Sequence, residues 1–326
     1  MIIILSEPQM NRELLNAIEE ASTVGITGHI RPDGDCVGSC MALYRYIRVA
    51  YPEKTVRVYL EEPSDNLRVA EGIDEIDSSF TKPATPYELF VILDCSSAER
   101  FAPAGEMVSE AAKVFVVDHH MTNTHFTEYG VILPDASSTC EVLYDLLEDE
   151  KIDTVAATFL YMGILHDTGV FRFPACSEHT MQIAGHMLTK GVNAQQLIDD
   201  SFYRRTYAQN RVIGDAVARS ELLLDGKMIF SVVALDDLAR FGAATKDTEG
   251  LVDQLRLTKG IEVALFARQD DVDTYKISMR AIEKVNVASI CASFGGGGHI
   301  FAAGCTIVGD IYDAIRKIAE MVKEQL

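Results

Sequence analysis

The sequence contains no tryptophan and only 9 prolines in 326 residues. No apolar run approaches the ~18 residues that a membrane-spanning helix needs. The opening MIIIL is too short for such a span and has no basic flank, so neither a membrane anchor nor a secretion leader is expected. Cysteine is sparse: the 7 present are odd in number and scattered, and only Cys36 and Cys40 stand close together. That pattern excludes a disulfide scaffold and a paired-thiolate zinc site, and it suits thiols kept reduced in the cytoplasm. Positive charge is also short. With 29 Lys and Arg against 49 Asp and Glu, the formal charge of −20 opposes binding along long DNA, which rests on basic patches that displace phosphate counterions.

What is present is apolar material for sizeable cores, at 48% hydrophobic and 24% charged residues, in a length that suits about two domains. Residues 11–21 have helical periodicity, and VGITGH reads as a buried strand ending at His29. DCVGSCMALYRYIRVAYP then reads as a helix ending at Pro52, and TVRVYLE alternates like a strand. ELFVILD and KVFVVD, ending at Asp94 and Asp118, suit strands of a parallel sheet buried on both faces. At 137–149, Ser138 and Glu141 have capping-box spacing before an amphipathic helix. Residues 153–169 read as a helix apolar almost all round that delivers Asp167. Residues 178–222 read as wholly helical, after which strand-like MIFSVVAL, EVALFAR and YKISMRAI alternate with helical stretches. The expected fold is α/β: a parallel sheet flanked by helices over 1–190, a helical connector over 191–224, and a smaller mixed α/β domain over 225–326.

Polar residues gather where these strands end, which is where open α/β sheets bind ligands. His29, Asp33 and Asp35 lie within seven residues, held in a turn by Pro32 and Gly34; Asp94, His119 and Asp167 follow strands or end the buried helix. Taken singly, each Asp is explained by turn or cap chemistry. Structural capping would not demand all of them together, and oxygen and imidazole donors without thiolate suit divalent ions such as Mn²⁺ or Mg²⁺. Four carboxylates would balance two such ions. Arg268 and Arg280, near the ends of EVALFAR and YKISMRA, could meet a phosphate or a base, or could be ordinary surface arginines. The run GGGG at 295–298, followed by His299, is either a close-packed turn or a set of backbone amides that approach a phosphate beside an imidazole.

HIRPDGD, VILDC, VVDHH and GILHDTG resemble, in order, the four motifs of the DHH phosphoesterase family, and GGGGHIFAAG resembles the substrate-binding segment of its associated C-terminal domain. Within the family the chain most resembles the oligoribonuclease (nanoRNase) and 3′-phosphoadenosine 5′-phosphate phosphatase branch. The resemblance implies a cofactor of two divalent ions, most readily Mn²⁺, with His29, Asp33 and Asp94 on one and Asp35, Asp94, His119 and Asp167 on the other. Asp94 would bridge them. It further implies that His120 faces the substrate as acid or charge stabiliser, that Asp118 orients the His pair, and that Gly296, Gly297, Gly298 and His299 bind substrate; Arg280 and Arg268 join them as expected substrate contacts by their place at strand ends. The expected activity is metal-dependent hydrolysis of short RNA to mononucleotides, and of 3′-phosphoadenosine 5′-phosphate to AMP. A two-ion site suits it, since it can activate a water for in-line attack on phosphorus and stabilise the departing oxygen. A linear-pApA phosphodiesterase shares both domains and is the nearest rival. A family II pyrophosphatase would need a more basic C-terminal domain, and a RecJ-type nuclease a longer chain. A non-catalytic nucleotide sensor would be expected to lack part of the ligand set. A homodimer is left open.

Overall fold

The computed structural model describes residues 7–68 and 70–326, so the opening MIIIL lies outside it. The chain divides into two units, one ending at Arg204 and one beginning at Arg205. The first runs α1 (Glu7–Glu20), β1 (Thr23–Thr27), α2 (Gly34–Ala50), β2 (Thr55–Tyr59), β3 (Leu89–Leu93), α3 (Gly105–Glu110), β4 (Lys113–Asp118), β5 (Tyr129–Ile132), α4 (Thr139–Leu146), α5 (Thr154–Asp167), α6 (Glu178–Thr189) and α7 (Ala194–Ile198). Its five strands form a wholly parallel sheet in the order β2-β1-β3-β4-β5. Every residue of β3 is buried, as a central strand covered on both faces requires.

The apolar helix α5 lies against α2 in the main core. Gly38 permits their close approach: a Cβ there would stand 2.6 Å from the Phe159 carbonyl oxygen. The sheet also contains β5, a four-residue edge strand that periodicity did not reveal, because YGVI is too short to show alternation. Ser138 caps α4 by accepting from the Glu141 amide, but the expected reciprocal bond is absent. The Glu141 carboxylate instead accepts from the hydroxyls of Ser137 and Thr180.

Residues 178–222 are not wholly helical. Gly191, at φ +95°, stops α6, Asn193 caps α7, a π turn covers Asp199–Tyr203, and the chain is extended at Arg204 before Thr206 caps the next helix. That helix, α8 (Tyr207–Ala218), opens the second unit and packs Val212, Ile213 and Ala216 beside Ile229 and Val233.

The second unit continues with β6 (Glu221–Leu223), β7 (Met228–Val233), α9 (Leu235–Phe241), α10 (Leu251–Arg256), β8 (Val263–Asp271), β9 (Thr274–Ala281), α11 (Val287–Ala292), β10 (Gly297–His299), β11 (Ala302–Val308) and α12 (Ile311–Lys323). Its mixed sheet has the order β10-β11-β9-β8-β7-β6, with only β7 and β8 parallel. On one face Ile277, Met279, Ala303 and Cys305 pack with Ile290 of α11 and Ile318 of α12. On the other, Ile229, Ala264 and Phe266 pack with α8 and α10. No helix among the described residues is long and apolar enough to cross a membrane.

Candidate metal centre

The first unit gathers its acids and imidazoles at the carboxyl ends of β1, β3 and β4. His29 lies two residues past β1 and is 5% exposed. Its Nδ1 is 2.9 Å from the Ile30 carbonyl, so in the neutral ring Nδ1–H donates there and the Nε2 lone pair turns inward. Nε2 stands 3.6 Å from Asp33 Oδ2 and 3.4 Å from Asp94 Oδ2. Burial opposes charging of His29, but the bonds to Asp33 and Asp94 outweigh it and raise the imidazole to about 11.

Asp33 serves two purposes with two oxygens. Its Oδ1 caps α2 by accepting from the amides of Asp35 and Cys36, both at 3.2 Å, and Oδ2 faces His29. Burial raises its pKa, yet the His29 bond and these amides bring it down to about 2. Asp35 is fully buried, with its oxygens accepting from the Thr139 amide at 2.6 Å and the Cys140 amide at 3.0 Å at the start of α4. Burial pushes its carboxyl well above the ordinary range, and repulsion from Asp94 and Asp167 adds to this. Gly163 keeps the space free, because a Cβ there would stand 2.6 Å from Asp35 Oδ1.

Asp94 occupies the middle. It follows β3 with φ +55°, a left-handed conformation uncommon for a residue with a side chain, and it is 2% exposed. One oxygen faces His29; the other lies 3.8 Å from His119 Nε2, 3.6 Å from His120 Nδ1, and accepts from the Thr139 hydroxyl at 3.1 Å. His119 Nδ1 approaches the Ala136 carbonyl at 3.2 Å and its Nε2 is 3.0 Å from Asp167 Oδ2, at the end of α5. Burial lowers its pKa, but Asp167, Asp35 and Asp94 together raise it to about 10. Burial raises that of Asp167.

Asp118, the last residue of β4, is fully buried and accepts from His120 Nδ1 at 2.7 Å and from Asn123 Nδ2 at 2.6 Å. Burial favours its neutral form, but these two bonds prevail and hold it below the usual carboxylate range. The Asp118 bond in turn raises His120 and leaves its Nε2 available. Asn123 also donates to the Cys95 carbonyl at 3.1 Å. Neither Asn123 nor Thr139 carries a signal in the sequence, since each acts through contacts made across the fold.

Among the described residues three groupings bring donor atoms within 4.8 Å of one another: His29 with Cys36 and Asp94; Asp94 with His119 and His120; and Asp35 with His119 and Asp167. The Cys36 thiol nevertheless points at the His29 carbonyl, 3.9 Å away, and burial pushes its pKa well up. Among the described residues no lysine or arginine forms an ion pair with Asp33, Asp35, Asp94 or Asp167. Instead the imidazoles of His29 and His119 stand beside these carboxylates, which raise their pKa values. These residues fit two divalent ions in both donor chemistry and charge.

The remaining expected residues belong to the second unit. His299 on β10 pairs with Ala302 on β11, which pairs with Arg280 on β9, so the three share one row and one face of the sheet. Arg280 lies 3.3 Å from Asp253, and Arg268 is 2.8 Å from Asp270 and donates to the Thr245 carbonyl. The glycines have unequal duties. A Cβ on Gly296 would meet the Gly304 carbonyl at 2.1 Å, and Gly298 combines φ +146° with the Ala302 carbonyl at 2.5 Å from such a Cβ. Gly297 has open space there.

Residues 23–164 match the DHH family N-terminal domain, and residues 225–326 match the DHHA1 domain. The chain is 29% identical over 319 residues to the bifunctional oligoribonuclease and PAP phosphatase NrnA of Thermus thermophilus, covering 96% of this chain and 93% of that one. It is 24% identical to the cyclic-di-AMP phosphodiesterase GdpP of Bacillus subtilis over 97% of its own length, but over only 50% of that protein's. An exopolyphosphatase-related protein from Bacteroides fragilis has the same fold, with a TM-score of 0.86 at 21% identity over 99% of this chain and 98% of the other. The chain therefore carries a DHH family N-terminal domain followed by a DHHA1 domain.

Proposed function

We propose that this protein is a phosphoester hydrolase that cleaves short oligoribonucleotides to mononucleotides and 3′-phosphoadenosine 5′-phosphate to AMP. The observation that carries the reading is Asp94, a buried carboxylate in a left-handed conformation that presents one oxygen to His29 and the other to the His119–His120 pair. Two divalent ions, for which Mn²⁺ suits the donors, would be held by His29, Asp33 and Asp94 and by Asp35, Asp94, His119 and Asp167, and would supply Lewis acidity and an activated water.

The chain's own groups supply the remainder. Asp118 accepts from His120 Nδ1, which fixes the ring and favours its protonated form, so that Nε2–H can donate to the leaving oxygen. Asn123 holds the far oxygen of Asp118, which stops the carboxylate from rotating away. In the second unit, Arg280, His299 and the amides of Gly296, Gly297 and Gly298 bind a substrate phosphate, with Arg268 as a further cation on the same sheet. The charge of −20 disfavours long polyanions and so favours short ones. All seven cysteines are unbridged, as a reducing compartment such as the cytoplasm would keep them.

The test is a side-by-side assay of a 5′-labelled RNA ladder, pApA, 3′-phosphoadenosine 5′-phosphate and pyrophosphate with Mn²⁺ and with EDTA. Turnover concentrated in the shortest RNAs and the bisphosphate, abolished by EDTA, is the expected result. Pyrophosphate as sole substrate would overturn the reading. Dominant pApA cleavage would favour the second reading, a linear-dinucleotide phosphodiesterase, which the similarity to GdpP supports.

A further inference from the structure

The second unit has one sheet face that helices cover only in part. Along β9 the residues alternate strictly: Ile277, Met279 and Ala281 are buried against α11 and α12, while Lys276, Ser278 and Arg280 point to the opposite face. Strand register extends that face into three rows. His299, Ala302 and Arg280 form the first, Gly297, Gly304 and Ser278 the second, and Thr306, Lys276 and Arg268 the third. Across β10, β11 and β9 the middle row has no side chain larger than serine, Phe266, the residue it meets on β8, is buried with α8 and α10, and a Cβ built on Gly297 would meet nothing within 4 Å. A shallow floor therefore runs between two polar rows.

The three cations on this face differ in how their charge is met. Arg280 and Arg268 each have an aspartate partner, Asp253 and Asp270. Lys276 is exposed and forms no ion pair among the described residues, in a chain whose formal charge is −20. An unneutralised lysine beside an exposed threonine, facing a floor of glycine, alanine and serine, complements a phosphate backbone better than a protein or lipid surface. Lys276 and Arg280 are four residues apart on one strand, about 13 Å. That exceeds the reach between neighbouring phosphates of an extended strand.

We propose that Lys276, with Thr306, forms a second phosphate-binding position that engages a nucleotide further along a short RNA whose first phosphate is held at Arg280 and His299. This rests on the function proposed above. The position sets how affinity grows with length: a dinucleotide is too short to occupy both ends of the floor, whereas a tetranucleotide can. Lys276 is a binding residue, remote in sequence from the metal motifs, so its effect falls on KM.

The test uses the full-length protein with Mn²⁺, comparing wild type, Lys276→Ala and Lys276→Arg on 5′-labelled di- and tetraribonucleotides at several salt concentrations. Lys276→Ala should raise KM for the tetranucleotide about five- to tenfold, the upper range of one ordinary hydrogen bond, as suits a solvent-exposed lysine. The slope of log KM against log salt should drop by about 0.7, the value for one phosphate contact on a single strand. The dinucleotide should change by under about twofold, and Lys276→Arg should restore most of the loss. An equal rise for both lengths, or no change for the tetranucleotide, would overturn the proposal while leaving the proposed function standing. A wild-type protein inactive on both would overturn that function and this proposal with it.

Discussion

The two units handle polar groups in opposite ways. In the first, Asp35, Asp94 and Asp118 are buried at strand and helix ends, with oxygens held by amides, a hydroxyl or an imidazole. In the second, His299, Lys276 and Gly297 lie exposed on a sheet face, and only the arginines are tethered. Buried, fully bonded carboxylates cannot swing, so they hold a fixed geometry at the expense of mutual repulsion. Exposed groups on a small-residue floor hold little geometry but remain open to an arriving polyanion. The first arrangement suits chemistry on one phosphorus atom, and the second suits grip on whatever carries it.

The largest effect expected is at the centre of the buried set. Asp94→Ala should lower turnover by at least about 10³-fold on every substrate, because the group shared by both halves of the cluster is gone. Circular dichroism should be unchanged, since the Asp94 side chain is no part of the apolar core. Near-wild-type activity would break the comparison at its root.

His120→Ala should cost roughly 10²–10⁴-fold in rate, the range for a general acid, while the purified variant keeps its full metal content by elemental analysis. Loss of metal would show that His119 and His120 have been assigned in the wrong order. For the exposed unit, His299→Ala should weaken dinucleotide turnover about ten- to a hundredfold, well beyond its effect on a small generic phosphodiester. Equal losses on both substrates would make the glycine-His segment a support for the fold.

The smallest effect concerns stability. His166, beside Asp167, packs its ring 4.5 Å from Phe202, and a Cβ on Gly34 would stand 2.1 Å from it. Its Nε2 has no partner among the described residues, and burial lowers its pKa to about 4. Between pH ~6.5 and ~4 the unfolded chain therefore binds the proton that the folded chain refuses, so stability falls as pH falls through this window, by at most about 3–4 kcal/mol. Urea unfolding of the metal-free protein at pH 7 and pH 5 should show a larger loss for wild type than for His166→Gln. Equal losses would mean that His166 is hydrated in the folded state.

These contrasts also explain what the sequence could disclose. Strands β1, β3 and β4 were legible because parallel strands buried on both faces become uninterrupted Val, Ile and Phe runs, and the polar residue that stops each run stands out. The closeness of Asp35 to Asp167, 132 positions away, followed from the family's motif pattern and not from local periodicity. Hidden from both were the left-handed turn at Asp94, the hold of Asn123 on Asp118, and the diversion of Glu141 from its cap to Ser137 and Thr180. Each depends on a partner fixed only by folding. The row that joins His299, Ala302 and Arg280 was likewise invisible, because strand register is a property of pairing and not of composition.

The central claim is that the first unit is a two-ion centre organised by Asp94. Crystals grown with Mn²⁺ and measured at the manganese edge test it directly. The account predicts two anomalous peaks on either side of the Asp94 carboxylate, one beside His29 and Asp33 and the other beside Asp35, His119 and Asp167. A single peak away from Asp94, or none at saturating Mn²⁺, would contradict it.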